Sequence, residues 1–271
     1  MKISITMISF KDRIEAEGLT AEAFIDLCAG LGVDAVDLLE YYWQDKANEV
    51  RRIPEVLKDK GLALGAFCIG NNFMAPAAFR PGMIDTVKSG IDTAVQLGAE
   101  RLRIFGGSAG IAEEMWADRL NIVADSISEC VAYAKAGGVT MILENHGGVP
   151  LTSDEMLSII QKVDSPWLKL NFDMGNFLGC ADEDPLSAAE KTLRYVEFIH
   201  VKDLAETNGM PPYRACPLGE GVVPVKDCLR YFKNNGYKGY VSLEYEAWSS
   251  LNAMEGVKAG LVFLRKTLAC I

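Results

Sequence analysis

None of the seven cysteines in this 271-residue chain forms a Cys-x-x-Cys pair. That absence argues against a structural zinc site, and an odd count spread mostly through apolar runs argues against a disulfide scaffold. The cysteines read instead as small hydrophobes in a reducing cytosol. No run of lysine and arginine occurs, and 27 basic against 37 acidic residues leave a formal charge of −10. An acidic surface of this kind repels nucleic acid and anionic membranes at long range. No apolar run approaches the roughly 20 residues that span a bilayer. The opening Met-Lys-Ile-Ser-Ile-Thr-Met-Ile-Ser-Phe is too short and too interrupted for a secretory signal. The expectation is a cytoplasmic protein with no nucleic-acid and no membrane partner.

Also missing is any linker, low-complexity tract or composition shift. What is present is an alternation of short β-branched runs with longer helical ones. Strands are expected at 2–9, 35–41, 62–69, 101–105, 139–144, 168–173, 196–201 and 239–245. Helices are expected at 19–31, 47–60, from Pro81 to about 97, 111–136, 153–163, 185–194, 225–234 and 251–268. Pro81 suits a first helical turn, Gly32 a helix end, and Ser153 or Thr152 a cap. Eight β-α units imply parallel strands with right-handed crossovers. A single (β/α)₈ barrel domain over residues 1–271 follows, since about 250 residues is typical of that fold. An open doubly wound sheet would usually carry a Gly-rich phosphate turn after its first strand, where Ser9-Phe10-Lys11-Asp12 stands here.

Four polar residues close strand-like runs of the second half: Glu144, Asp173, His200 and Glu244. Alternate side chains of a strand share a face. That places Asn171 with Asp173, Phe198 with His200 and Lys202, and Ser242 with Glu244 and Glu246. The C-terminal strand ends are where barrel enzymes keep their chemistry. Three carboxylates and one imidazole suit one divalent metal ion, Mn²⁺ or Mg²⁺ before Zn²⁺ or Co²⁺. Each residue alone has a plainer use as a loop acid, a core histidine or a turn cap. The shared phase on successive units favours the joint reading.

The segments Leu143-Glu144-Asn145-His146-Gly147-Gly148, Phe172-Asp173-Met174-Gly175-Asn176, Ile199-His200-Val201-Lys202-Asp203, Pro217-Leu218-Gly219-Glu220-Gly221 and Ser242-Leu243-Glu244-Tyr245-Glu246 carry a resemblance. In that order they resemble the xylose-isomerase-like TIM-barrel superfamily, which includes sugar phosphate isomerases and epimerases, ketose 3-epimerases, inosose dehydratases and endonuclease IV. The resemblance implies Glu144, Asp173, His200 and Glu244 as metal ligands and Glu144 and Glu244 as the proton-transferring pair. It implies a metal-dependent sugar isomerase or epimerase that works through an enediolate on a small-molecule carbohydrate. A dehydratase of inosose or 3-dehydroshikimate type is the alternative, ahead of a non-catalytic carbohydrate-binding barrel or a nuclease. With two histidines in all, the multi-zinc cluster of the nuclease relatives is disfavoured. A homo-oligomer is left open.

Many relatives have histidine where Asn176 stands; asparagine can bond a substrate oxygen but is a poor metal ligand. His146 and Lys202 share faces with the ligand candidates and are substrate contacts, or else a loop histidine and a snorkelling lysine. Glu40, Phe10, Trp43 and Phe105 are placed near the same mouth. The stretch from Asp203 to Val225 is long for a barrel loop and suggests a binding loop. It holds Arg214, expected to reach substrate, and Glu220, expected to orient His200 or bind a hydroxyl.

Overall fold

In the computed structural model, which describes residues 1–108, 113–248 and 250–271, eight parallel strands close into a barrel. They are β1 (Lys2–Thr6), β2 (Ala35–Leu39), β3 (Ala63–Cys68), β4 (Arg101–Ile104), β5 (Thr140–Glu144), β6 (Leu168–Asp173), β7 (Val196–Val201) and β8 (Tyr240–Leu243). Each pairs with its neighbour in sequence, and β8 returns to β1. The helices between them are α1 (Ala21–Leu31), α2 (Lys46–Lys60), α3 (Arg80–Leu97), α4 (Arg119–Gly137), α5 (Ser153–Val163), α6 (Pro185–Thr192), α7 (Val225–Asn234) and α8 (Ala253–Cys270). The (β/α)₈ expectation holds.

Local chemistry sets the element ends. The Thr20 hydroxyl accepts the Ala23 N–H at the start of α1, and Gly32 ends that helix in the left-handed region at φ 66°. At α5 the cap is Thr152, which accepts the Glu155 N–H at 3.2 Å, while Glu155 accepts the Leu151 N–H at 2.8 Å. The first bond satisfies a donor that the first turn of a helix leaves free, and the second ties down the residue before the cap. Between strand and helix the core is aromatic: Phe172 of β6 lies 4.8 Å from Phe177 and 5.1 Å from Phe232 of α7, ring centre to ring centre.

Several boundaries differ from expectation. The strand expected over 2–9 stops at Thr6, and Met7–Phe10 forms a 3₁₀ turn leading into a short helix, Lys11–Glu17. The strand over 35–41 stops at Leu39, with a second 3₁₀ turn over Glu40–Tyr42. Both turns carry apolar residues, and Met7 and Phe10 are fully buried, so hydrophobicity continues past the strand. Phe10 is therefore core, edge-on to Phe24 at 5.8 Å, and not at the mouth. The helix expected from 111 begins outside the described residues; Glu113–Trp116 and Arg119–Gly137 are separate helical segments. An unforeseen helix, Met174–Ala181, follows β6. The long loop after Asp203 contains an antiparallel ribbon, Asp203–Glu206 with Tyr213–Cys216. Among the described residues, no helix is long and apolar enough to cross a membrane.

Candidate metal centre

Strand register assembles the site. Glu144 lies beside Asn171, Asp173 beside His200, and His200 beside Ser242, two residues before Glu244. One ligand atom from each of Glu144, Asp173, His200 and Glu244 falls within 4.8 Å of the others. Nδ1 of His200 is 3.0 Å from Glu144 Oε1, 3.0 Å from Glu244 Oε2 and 4.0 Å from Asp173 Oδ2.

Asp173 serves both structure and site. Its Oδ1 accepts the Asn176 N–H at 2.8 Å and so caps the helix Met174–Ala181, while Oδ2 has no hydrogen-bond partner. The Asn145 amide bonds both the N–H and the carbonyl of Asp173 at 2.9 Å, extending the ladder between β5 and β6 by one side chain. Asn176 turns its NH₂ to the Asn145 carbonyl at 2.8 Å, so in this structure it supports the loop after Glu144.

Two buried cations complete the cluster. Nζ of Lys202 lies 2.7 Å from Glu244 Oε1 and 3.2 Å from both Asp173 Oδ2 and Glu246 Oε2. A side chain on Gly175 would collide with the Lys202 stem, which accounts for the glycine in Asp-Met-Gly-Asn. Arg103, inside β4, places Nε 3.3 Å from Glu144 Oε2 and its guanidinium 3.9 Å from the Phe105 ring centre. Sequence reading missed Arg103; its signal was a second arginine two residues after Arg101 in a four-residue strand.

These neighbours set the protonation of the cluster. Burial opposes charge on Glu144, but His200 and Arg103 outweigh it and hold its carboxyl below the usual range. Burial is likewise overcome at Glu244, which Lys202 and His200 hold well below that range. Burial dominates at Asp173, which shares Lys202 with Glu244 and is pushed up to about 7. Burial disfavours the charge on His200 and Lys202 too, yet the surrounding carboxylates raise both well above their ordinary values.

The remaining expected contacts stand apart from this cluster. His146 is exposed and packs on Phe105 at 4.8 Å; β5 stops at Glu144, so the strand phase that grouped the two does not continue. Glu40 pairs with Lys46. Trp43 packs on Phe67 at 5.4 Å. Arg214 is exposed on the ribbon. Glu220 is exposed and does not orient His200, whose bonded neighbours are Glu144, Glu244 and Asn171. The Gly-Glu-Gly turn has a different local purpose. It wraps the buried Asp203 carboxylate, which accepts the N–H groups of Leu204, Gly219, Gly221 and Val223 at 2.8–3.1 Å. Gly221 is required there because a Cβ would strike Asp203.

The donor set fits a cation. One ring nitrogen carries at most one proton, yet Nδ1 of His200 meets two carboxylates at equal distance, so a single N–H there would have to be divided between them. Asp173 Oδ2, which faces Lys202 but accepts no hydrogen bond, lies in the same cluster. A divalent ion held by these three oxygens and one nitrogen would satisfy all four atoms.

Known proteins share this architecture. L-ribulose-5-phosphate 3-epimerase UlaE of Escherichia coli is 23% identical over 239 residues, covering 83% of this chain and 81% of its own. The structure of D-psicose 3-epimerase from Clostridium cellulolyticum H10 superposes with a TM-score of 0.80 at 16% identity, over 99% of both chains. That of the probable 3-DHS dehydratase AsbF from Bacillus anthracis gives 0.77 at 20% identity, over 98% of this chain and 99% of its own. Those structural likenesses establish the fold. The model of one family, the xylose isomerase-like TIM barrel, matches residues 25–267, and it is to this family that the chain belongs.

Proposed function

We propose that this protein is a divalent-metal-dependent sugar epimerase or isomerase. It moves a proton next to the carbonyl of a small ketose or a polyol-derived ketone, through an enediolate. Glu144, Asp173, His200 and Glu244 would hold the metal. The observation that carries this reading is the convergence of three carboxylates on one imidazole nitrogen at the C-terminal mouth of the barrel. Their composition, mostly oxygen with one nitrogen, favours Mn²⁺ or Mg²⁺. When bound, such an ion supplies the positive charge that stabilises negative charge developing on the substrate oxygens.

The rest falls to the chain's own groups. Glu144 ends β5 and Glu244 follows β8, with β6 and β7 between them in the barrel wall. The two carboxylates thus reach the mouth from different sides. Arg103 and Lys202 keep both ionised at neutral pH, the state a base needs. One removes the proton beside the carbonyl, and the other, once it has taken up a proton from solvent, delivers that proton to the enediolate; the first then gives its own proton back to solvent. Return on the opposite face of the same carbon gives an epimer; return to the neighbouring carbon gives an aldose–ketose isomer. Lys202 stands where it can stabilise a developing oxyanion. His146, Asn176, Arg214, Glu220 and Glu40 are proposed for the outer substrate contacts. The cysteines are free, which suits a reducing, cytoplasmic setting.

The test is incubation with a panel of ketoses in D₂O with added Mn²⁺. Deuterium should enter the carbon beside the carbonyl, and Glu144→Gln should abolish its entry. No exchange with any ketose in the panel would count against the reading. A second reading, dehydration, is favoured by His146, an exposed imidazole two residues after Glu144 and packed on Phe105, where it can serve as a base. Loss of water with growth of an enone absorbance would select it.

A further inference from the structure

Beneath the imidazole of His200 lies an acid that the proposed reaction does not use. Asp37 projects from β2 into the barrel and is completely buried. Its Oδ1 accepts the Ser4 hydroxyl at 2.6 Å, and its Oδ2 accepts the Ser242 hydroxyl. The two serines stand side by side on β1 and β8, and Ser242 stands beside His200 on β7. The chain also makes room for the group. A Cβ on Gly65 of β3 would lie 2.7 Å from Asp37 Oδ1 and 3.3 Å from the Phe198 ring.

Nε2 of His200, the nitrogen turned away from the carboxylate cluster, has no hydrogen-bond partner. It lies 3.8 Å from Asp37 Oδ2. That is too long for a hydrogen bond, but a ring N–H and a carboxylate this close attract strongly in a dry interior. A histidine that ligates a metal through one nitrogen usually has its other N–H fixed by an acceptor, commonly a carboxylate. We propose that Asp37, held by Ser4 and Ser242 in the space opened by Gly65, is the positioning residue for His200. It keeps the proton on Nε2 and so presents Nδ1 to the three carboxylates. This rests on reading those residues as a metal site.

The plainer use of Asp37 is as a clamp joining β1, β2 and β8, and the test separates the two. Asp37→Asn keeps a group able to bond both serines while removing the charge. Zn²⁺ affinity is measured by calorimetry. The Nε2–H resonance of His200 is followed by ¹⁵N-histidine NMR in the metal-free protein, assigned with His146→Gln since the chain has only two histidines. Expected are a wild-type Nε2–H resonance sheltered from solvent exchange, its displacement in Asp37→Asn, and Zn²⁺ binding weakened about 10- to 100-fold. Unchanged affinity with an unmoved resonance overturns the proposal, even if the variant melts earlier, and leaves Asp37 a clamp. If the wild type binds no Zn²⁺, the metal reading fails, and the resonance alone then decides the part of Asp37. Should Asp37→Asn not fold, Gly65→Ala displaces the carboxylate without deleting a polar group. It should move the same resonance, and an unmoved one again overturns the inference.

Discussion

Strands β1 to β4 stop at Thr6, Leu39, Cys68 and Ile104, all uncharged, whereas the ends of β5 to β8 carry Glu144, Asp173, His200 and Glu244. The first half turns its charge toward those residues. Asp37 stands in mid-strand 3.8 Å from His200, and Arg103 stands in β4 at the depth of His200 in β7, 3.3 Å from Glu144. One half of the closed sheet therefore presents side chains to the mouth, while the other holds those side chains from behind. A charge at a strand end can meet a ligand. A charge turned onto such a residue acts through it, and burying it there is tolerable only because a partner compensates it.

The sharpest way to break this contrast is to compare turnover across the two halves. Glu144→Gln and Glu244→Gln are each expected to lower kcat by about 10²–10⁴-fold, the usual contribution of a positioned acid or base, as measured by deuterium entry. Leu39→Ala and Ile104→Ala, at strand ends of the first half, should cost stability and leave kcat within a small factor. An equal loss of kcat from either of these would end the distinction.

Next in size is the support behind Glu144. Arg103→Met leaves the buried Glu144 carboxylate with His200 as its remaining cationic neighbour, and breaking one partner of a buried pair costs up to about 3–5 kcal/mol. Urea unfolding of the metal-free variant should show that loss, and a midpoint within error of wild type would mean that Arg103 does not hold the site. Metal removal should act on the other half. Mn²⁺ at 100 times its Kd is expected to add about 2.7 kcal/mol. Hydrogen exchange should slow at the ends of β5 to β8 and not at those of β1 to β4. Slowing spread evenly around the barrel would show that the halves are not separable.

Much of this was legible in the chain because strand and helix alternate eight times and because four polar residues share one phase. The supporting half was not. All five residues of β2 are buried, so Asp37 sits in a run with no alternation that could reveal which way it faces. Arg103 follows Arg101 on the same face of β4, and Arg101 bonds Glu197 of β7 at 2.9 Å; the sequence alone does not say which arginine reaches the carboxylates of the mouth. The ends of β1 and β2 were overrun for a related reason, since the 3₁₀ turns after them are as apolar as strands. In the Gly-Glu-Gly turn, the local pattern points to Glu220 as the acid that matters. The partner that shapes the turn, Asp203, lies 16 residues before Gly219, beyond any local pattern.

The smallest effect tests whether one residue can belong to both kinds of structure. Asp173 caps a helix with Oδ1 and faces the cluster with Oδ2. Asparagine caps about as well as aspartate, and alanine forfeits about 1 kcal/mol. Asp173→Asn should therefore lose metal binding yet keep the cap of the helix Met174–Ala181, and Asp173→Ala should lose both the metal and the cap. A further sign can be worked out for chelator-treated protein. Burial raises the Asp173 carboxyl to about 7 in the folded chain, against ~3.9 when unfolded. A raised value favours the folded state at low pH, so this contribution is fully present below the unfolded value and is lost as pH climbs through about 7. Relative to Asp173→Asn, which cannot titrate there, metal-free wild type should lose stability between pH 4 and 7. Parallel stability curves for the two proteins across that window would mean that Lys202 alone suffices to keep Asp173 charged, and that the acids of the second half do not compete for it.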